Sequence, residues 1–345
     1  MREEDNMKIK LLAAVLVAVL SLTSCASTQG ATGSAKPAKV VIGYQEMPND
    51  ETIVRTEGWY KQALGVPVEL KEFDSGQDVN TAFASGSIDI GLIGTAPIAI
   101  GISASIPYQV FWIHDIIGTA ESLAVKGNEN ITSVKDLKGK KIATPFASTS
   151  HYSLLNAIRL AGLSEKDVTV LDMQPDAIYS AWQRGDIDGA YVWQPSLGKL
   201  LSDGGKSITD GTQLAKQGVV TADLGVVSKK FAERYPNIMT KYVKLQQKAI
   251  ELYRNSPNGA ADQIAKGLGI SQPDALAQAK QLLWLLPSEQ TGSDYLGTIA
   301  SRGKMANTLE DTAQFLVKQK SIPTAASLEQ FKQAINPKFI EAASK

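Results

Sequence analysis

Apolar residues along this chain fall into short β-rich runs separated by segments with helical spacing. Lys39-Val40-Val41-Ile42-Gly43-Tyr44 is the first compact run, and residues 51–64 read as a helix after it. Strand patterns at 66–73, 88–93 and 108–113 alternate with helical patterns at 77–84 and 97–104. The rhythm resumes with strands at 121–126, 141–143, 168–171 and 187–192, and helices at 150–161 and 176–184. From Ser228 the chain is mostly helical, punctuated at Pro236, Pro257, Ser271, Pro287 and Pro323. Strands that are apolar throughout and alternate with helices predict α/β lobes, each with a mostly parallel sheet covered by helices on both faces.

One segment is echoed. Ala82-Phe83-Ala84-Ser85-Gly86-Ser87-Ile88-Asp89 returns as Ala181-Trp182-Gln183-Arg184-Gly185-Asp186-Ile187-Asp188. In each, a helix ends on a glycine cap and turns at once into an apolar strand. The separation is far longer than a solenoid repeat and fits two similar lobes with a ligand cleft between them.

The N-terminus has a different character. Met7-Lys8-Ile9-Lys10 is basic, residues 11–20 are unbroken apolar, and Ser21-Leu22-Thr23-Ser24-Cys25 follows. That order predicts an export signal too short to span a bilayer. The acidic Glu3, Glu4 and Asp5 point to Met7 as the start. Leu-Thr-Ser before Cys25 resembles the lipobox of bacterial lipoproteins, which implies lipidation of Cys25 and a membrane anchor. Residues 26–38 are rich in Ala, Ser, Thr and Gly and read as a flexible tether. The expected division is a signal peptide at 1–25, a tether at 26–38, a first lobe at 39–116 plus 222–345, and a second at 117–221.

Composition narrows the function. Of 345 residues, 43% are hydrophobic and 20% charged, which suits a globular body. Lys+Arg and Asp+Glu both number 35, so the chain lacks the charge excess of a general nucleic-acid binder. One cysteine excludes an internal disulfide, and two histidines, His114 and His151, make a histidine-rich metal site improbable. No cofactor and no metal are expected. There is no Gly-x-Ser-x-Gly elbow, Walker loop or dinucleotide fingerprint, and nothing argues for catalysis. Gly91-Leu92-Ile93-Gly94-Thr95 lacks the Lys-Ser/Thr ending of a phosphate loop and reads as a tight strand-to-helix turn.

Three turns at strand ends place hydroxyls beside free helix-terminal amides: Asp74-Ser75-Gly76-Gln77, Gly94-Thr95-Ala96-Pro97 and Ser148-Thr149-Ser150-His151. Such turns bind small anions, and equally serve as plain N-caps. Asp223 and Glu121 are carboxylates that could meet an ammonium group; a hinge ion pair and an exposed strand end are the other readings. Trp193, Tyr44, Trp112 and Trp59 could wall a site or fill a core.

From Val41 to about Val227 the chain resembles the substrate-binding proteins of taurine ABC transporters, in the aliphatic-sulfonate-binding family. The resemblance is carried by Gly43-Tyr44-Gln45, Lys71-Glu72-Phe73-Asp74-Ser75-Gly76 and the run from Thr144 to Leu155. The run from Ala181 to Trp193 carries it most specifically, and Asp311-Thr312-Ala313-Gln314-Phe315-Leu316 extends it. It implies a type II periplasmic-binding-protein fold and capture of taurine or a close sulfonate. Alternative ligands are another alkanesulfonate, nitrate or glycine betaine; an enzyme or a tethered sensor on the same fold is a further alternative. By this resemblance Gln45, Ser75, Thr95 and Thr149, with Ser148 beside them, face the sulfonate. Asp223 and Glu121 face the ammonium, and Tyr44 and Trp193 close over the spacer. Implied partners are a permease and an ATPase, with the protein a monomer lipid-anchored on the extracytoplasmic face. Two departures stand out: Gly225 where an aromatic is expected, and His114-Asp115 where small or neutral residues are expected.

Overall fold

The computed structural model describes residues 36–128 and 130–344. The predicted signal peptide, Cys25 and most of the tether lie outside the described residues. Among the described residues, no helix is long and apolar enough to cross a membrane.

Eleven strands among the described residues form two sheets. The first contains β1 (Val40–Tyr44), β2 (Val68–Glu72), β3 (Ile90–Gly94) and β4 (Tyr108–Ile117). The second contains β5 (Glu121–Lys126), β6 (Lys141–Thr144), β7 (Thr169–Asp172), β8 (Gly189–Trp193) and β9 (Gly205–Asp210). The chain then returns to the first sheet with β10 (Ala222–Ser228) and the short β11 (Leu282–Leu283). Spatial order is β11-β4-β10-β3-β1-β2 in one sheet and β7-β6-β8-β5-β9 in the other. Without β11 the two orders are the same, β1, β2, β3, β10 and β4 matching β6, β7, β8, β5 and β9.

The sheets are mixed, with most strands of each running the same way, as the apolar strand pattern predicted. β1 pairs in parallel with β2 and β3, and β6 with β7 and β8. β10 is antiparallel to β3 and β4, and β5 to β8 and β9. β11 is antiparallel to β4. In the five matching strands of each sheet, the strand that runs against the rest is the one that the chain enters from the other lobe. β9 and β10 were not predicted. β9 reads Gly-Lys-Ser-Ile-Thr-Asp and is too polar to signal a strand.

Helices cover both faces of both sheets, which is why β1, β3 and β8 are almost fully buried. The predicted 51–64 helix is two, α1 (Asp50–Thr56) and α2 (Trp59–Leu64), broken at Gly58 with φ +69°. α3 (Gly76–Ala84), α4 (Thr95–Ser103), α5 (Thr149–Leu160) and α6 (Pro175–Arg184) lie within a residue or two of their predicted bounds. The first core centres on Phe111, Trp112, Tyr242 and Phe339, all essentially inaccessible. The second sheet is packed on one side by Leu123, Leu154 and Tyr191, and on the other by Trp182, Val192 and Leu200.

The sequence echo is a structural one. α3 ends at Gly86 (φ +68°) and α6 at Gly185 (φ +79°), left-handed positions that glycine adopts without steric cost. Asp89 Oδ2 then accepts from the Val41 amide at 2.9 Å, and Asp188 Oδ2 from the Lys141 amide at 2.7 Å. The same aspartate pins the same strand start in both lobes.

Candidate functional site

The matched topology puts one carboxylate at the same place in each lobe. In the β10/β3 ladder Asp223 is opposite Gly94, the last residue of β3. In the β5/β8 ladder Glu121 is opposite Trp193, the last residue of β8. Both positions lie at the carboxyl ends of parallel strands, where α/β sheets bind ligands. Both side chains line one narrow pocket, part of it open to solvent. Thr149, Trp193, Gln194, Met47, Pro48 and Leu282 complete most of its wall, and no Lys, Arg or His among the described residues lines it.

The two carboxylates have different surroundings. Glu121 is 1% exposed. Its Oε1 accepts from the Thr149 hydroxyl at 2.6 Å and the Ser150 hydroxyl at 2.8 Å, both from the first turn of α5. Its Oε2 has no hydrogen-bond partner among the described residues. Burial pushes the group up to about 7, with the two hydroxyls opposing. Asp223 is buried opposite Asp115 in the β10/β4 ladder. Burial, then the Asp115 charge, raise it well above the usual carboxylate range. Asp115 accepts from Asn49 Nδ2 at 3.0 Å through Oδ2, and burial pushes it up to about 7.

Behind this layer, His114 Nδ1 lies 2.6 Å from Asp50 Oδ1, and Trp112 Nε1 donates to Asp50 Oδ2 at 2.8 Å. Burial disfavours a charged His114 ring, but the charge and hydrogen bond of Asp50, with the charges of Glu51 and Asp115, together outweigh it and the net shift is upward. Glu51, pushed up to about 7 by burial, sits 3.5 Å from Arg55.

Thr149, Trp193, Glu121 and Asp223, all singled out from sequence, therefore meet in one pocket. The others do not line it. Gln45 is buried and donates to the Leu92 carbonyl at 3.0 Å, tying β1 to β3. Ser75 donates to Asp78 at 2.7 Å at the start of α3. Thr95, at the start of α4, receives the Ala222 amide at 3.5 Å. Ser148 caps α5, accepting from the His151 amide at 3.1 Å and donating to the Pro145 carbonyl at 2.6 Å. Tyr44 donates to Glu72 at 2.9 Å with Arg55 4.1 Å over its ring, and burial with that hydrogen bond pushes its phenol up to about 12. A second hollow adjoins the first across Trp193 and is lined by Glu46, Glu72, Asp74, Asp176 and Lys199.

A family model described as NMT1/THI5 like matches residues 53–260. The chain belongs to that family. It is 34% identical over 313 residues to the taurine-binding periplasmic protein of Escherichia coli K12, covering 89% of this chain and 94% of that protein. Among solved structures, the alkanesulfonate-binding protein SsuA of Xanthomonas axonopodis bound to MOPS superposes with a TM-score of 0.73 at 20% identity. That match covers 88% of this chain and 99% of the other. The desulfurization enzyme DszB superposes with a TM-score of 0.64 at 17% identity, covering 89% and 99%. The chain thus has the two-lobed periplasmic-binding-protein fold, on which both binding proteins and an enzyme are built.

Within this family fold, sequence reading passed over Asp115 and Asn49. Asp115 stood out only as a departure from pattern, because its pairing with Asp223 spans two strands far apart in the chain. The structure joins the two departures. A Cβ on Gly225 would lie 3.0 Å from Trp112 Cβ and 3.3 Å from His114 Nε2. Gly225 makes room for the His114 and Trp112 side chains beneath the pocket, and it does not line the pocket itself.

Proposed function

We propose that this chain is the solute-binding component of an ABC importer, and that it captures taurine or a close aminosulfonate between its lobes. The observation that carries the reading is the paired carboxylates. Glu121 and Asp223, both buried and one from each crossover strand, line a partly open pocket with no basic side chain in its wall among the described residues. Such a pocket suits a cationic end group. The first turn of α5, with Thr149, supports an anionic end group nearby through its free amides and partial positive charge. Trp193 borders both the pocket and the acidic hollow beside it, where Glu46, Glu72, Asp74 and Asp176 attract cations toward the cleft.

Capture proceeds by closure. The lobes, taken as 39–116 plus 222–345 and 117–221, each hold one half-site, and a ligand touching both favours the closed form. The family relatives named as binding proteins support a carrier role without turnover. Their periplasmic naming supports an extracytoplasmic location, with a permease and an ATPase as partners. Lipidation at Cys25 would hold the monomeric protein near its permease.

Calorimetry against taurine and ethanesulfonate tests the reading. Taurine is expected to bind tighter, because ethanesulfonate has no ammonium; equal affinities would remove the carboxylates from the site. A thermal-shift panel adding nitrate and glycine betaine ranks the alternatives. Cys25→Ser is expected to release the protein from the membrane fraction; an unchanged distribution would remove the anchor.

A further inference from the structure

Asp115 and Asp223 are direct neighbours across the β4/β10 ladder, and they are 0% and 5% exposed. Asp115 Oδ1 receives no N–H or O–H donor from any described residue. Three other charged groups act on the pair, Asp50 from α1, His114 from β4 and Glu121 from β5, while Glu51 and Arg55 of α1 pair with each other beside Asp50 and His114. Neither nearby cation is free to neutralise the pair. His114 is engaged by Asp50 and Arg55 by Glu51. β3 contributes no charge, since Gly94 stands opposite Asp223. Two buried carboxylates at cross-strand distance cannot both stay ionised in this setting. A proton held between them also supplies the donor that Asp115 Oδ1 lacks.

We propose that Asp115 is a positioning residue that shares one proton with Asp223 in the empty cleft, and that the ligand's cationic end displaces this proton. The inference rests on the reading above that Asp223 meets an ammonium group. The exchange balances. The O–H bond between the carboxyls breaks, the proton leaves to water, and an ammonium N–H donates to the freed Asp223 carboxylate. One positive charge replaces another, so the net charge of the buried site is unchanged. Burial, which raises both groups, acts in the same direction. A sulfonate without a cationic end cannot make this replacement.

Two measurements on the full chain test it. The first needs no ligand. Carboxyl-carbon magnetic resonance of the aspartate-labelled free protein, from about pH 5 to pH 8, is expected to show one aspartate still protonated near neutrality. That signal should be absent in Asp115→Asn. Full ionisation of both aspartates at pH 6 overturns the proposal. The second is taurine calorimetry in buffers of different ionisation enthalpy. The unmodified protein is expected to release about one proton more per taurine than Asp115→Asn. Its affinity should climb up to about tenfold per pH unit below neutrality, and the variant's slope should be flatter. Equal proton release by the two proteins overturns the exchange while leaving taurine capture standing. Failure to bind taurine, or no preference for it over ethanesulfonate, overturns the reading and the exchange with it.

Discussion

The two lobes share a strand order and place a carboxylate at the same spot, yet they treat it in opposite ways. In the second lobe Glu121 receives two hydroxyls from the first turn of α5. In the first lobe Asp223 meets a second carboxylate, Asp115. Hydrogen-bond donors favour the charged form, and a like charge disfavours it. The shared topology thus supplies the positions, and the neighbouring strand or helix sets the surroundings of each carboxylate. In the exchange proposed above, the proton is lost from the side where two carboxylates meet.

The largest test of this contrast is substitution of the pair. Asp223→Asn is expected to weaken taurine binding by roughly 2–5 kcal/mol, as for a truncated buried charge pair. Glu121→Gln should cost less, because Thr149 and Ser150 can still hydrogen-bond the amide. Calorimetry giving Glu121→Gln the larger loss would reverse the assignment.

A pH series on the free protein comes next. Asp115 and Glu121 are pushed up to about 7 when folded, whereas unfolded carboxyls titrate near 4. Between those values the folded state binds more protons, so stability falls as pH rises, by about 1.4 kcal/mol per unit for each proton. His114, also raised, acts the same way: its contribution is full below its unfolded value and is lost as pH climbs through the folded one. Melting temperatures that rise from pH 5 to about pH 7 would contradict this.

Steric tests are smaller. A Cβ on Gly94 would lie 2.7 Å from Thr149 Cγ2 of the facing lobe. Gly94→Ala should therefore wedge the cleft and weaken binding by about 1–3 kcal/mol, with relief from Thr149→Ser. No relief would place the fault elsewhere. Gly225→Ala should lower stability by about 1 kcal/mol or more in thermal unfolding, since its Cβ meets Trp112 and His114. Least of all is Arg184→Ala. The turn at Gly185 carries an exposed Arg184–Asp186 pair at 2.7 Å, where the matching turn has a Ser85–Ser87 hydroxyl contact at 3.2 Å. The first lobe makes the turn without an ion pair, so the loss should stay within about 0.5 kcal/mol. A larger drop in melting temperature would mean that the two turns are not equivalent.

Much of the molecule was legible from local pattern. Buried strands such as Ile90–Gly94 are apolar throughout, and helices such as Pro175–Arg184 announce their start with Pro175 and their stop with Gly185. The polar edge strand Gly205–Asp210 was not legible, nor was the break at Gly58, because neither disturbs hydrophobic periodicity. Of the residues that turn chemistry and family resemblance picked out, Glu121, Thr149, Trp193 and Asp223 come together in one pocket. The same signals also picked Gln45, Ser75, Thr95 and Ser148, whose side chains are taken up by capping and strand-tying hydrogen bonds.

The order of apolar runs and glycine caps fixed a two-lobed α/β body by itself, since periodicity and turn chemistry act within a few residues. Which strand runs antiparallel was decided only when the chain crossed between lobes and back. So was the meeting of Asp115 with Asp223 and the fitting of Gly225 beneath His114. Those contacts join residues about a hundred apart in the chain, and their energy comes from burial and mutual charge, which exist only once the sheets have assembled.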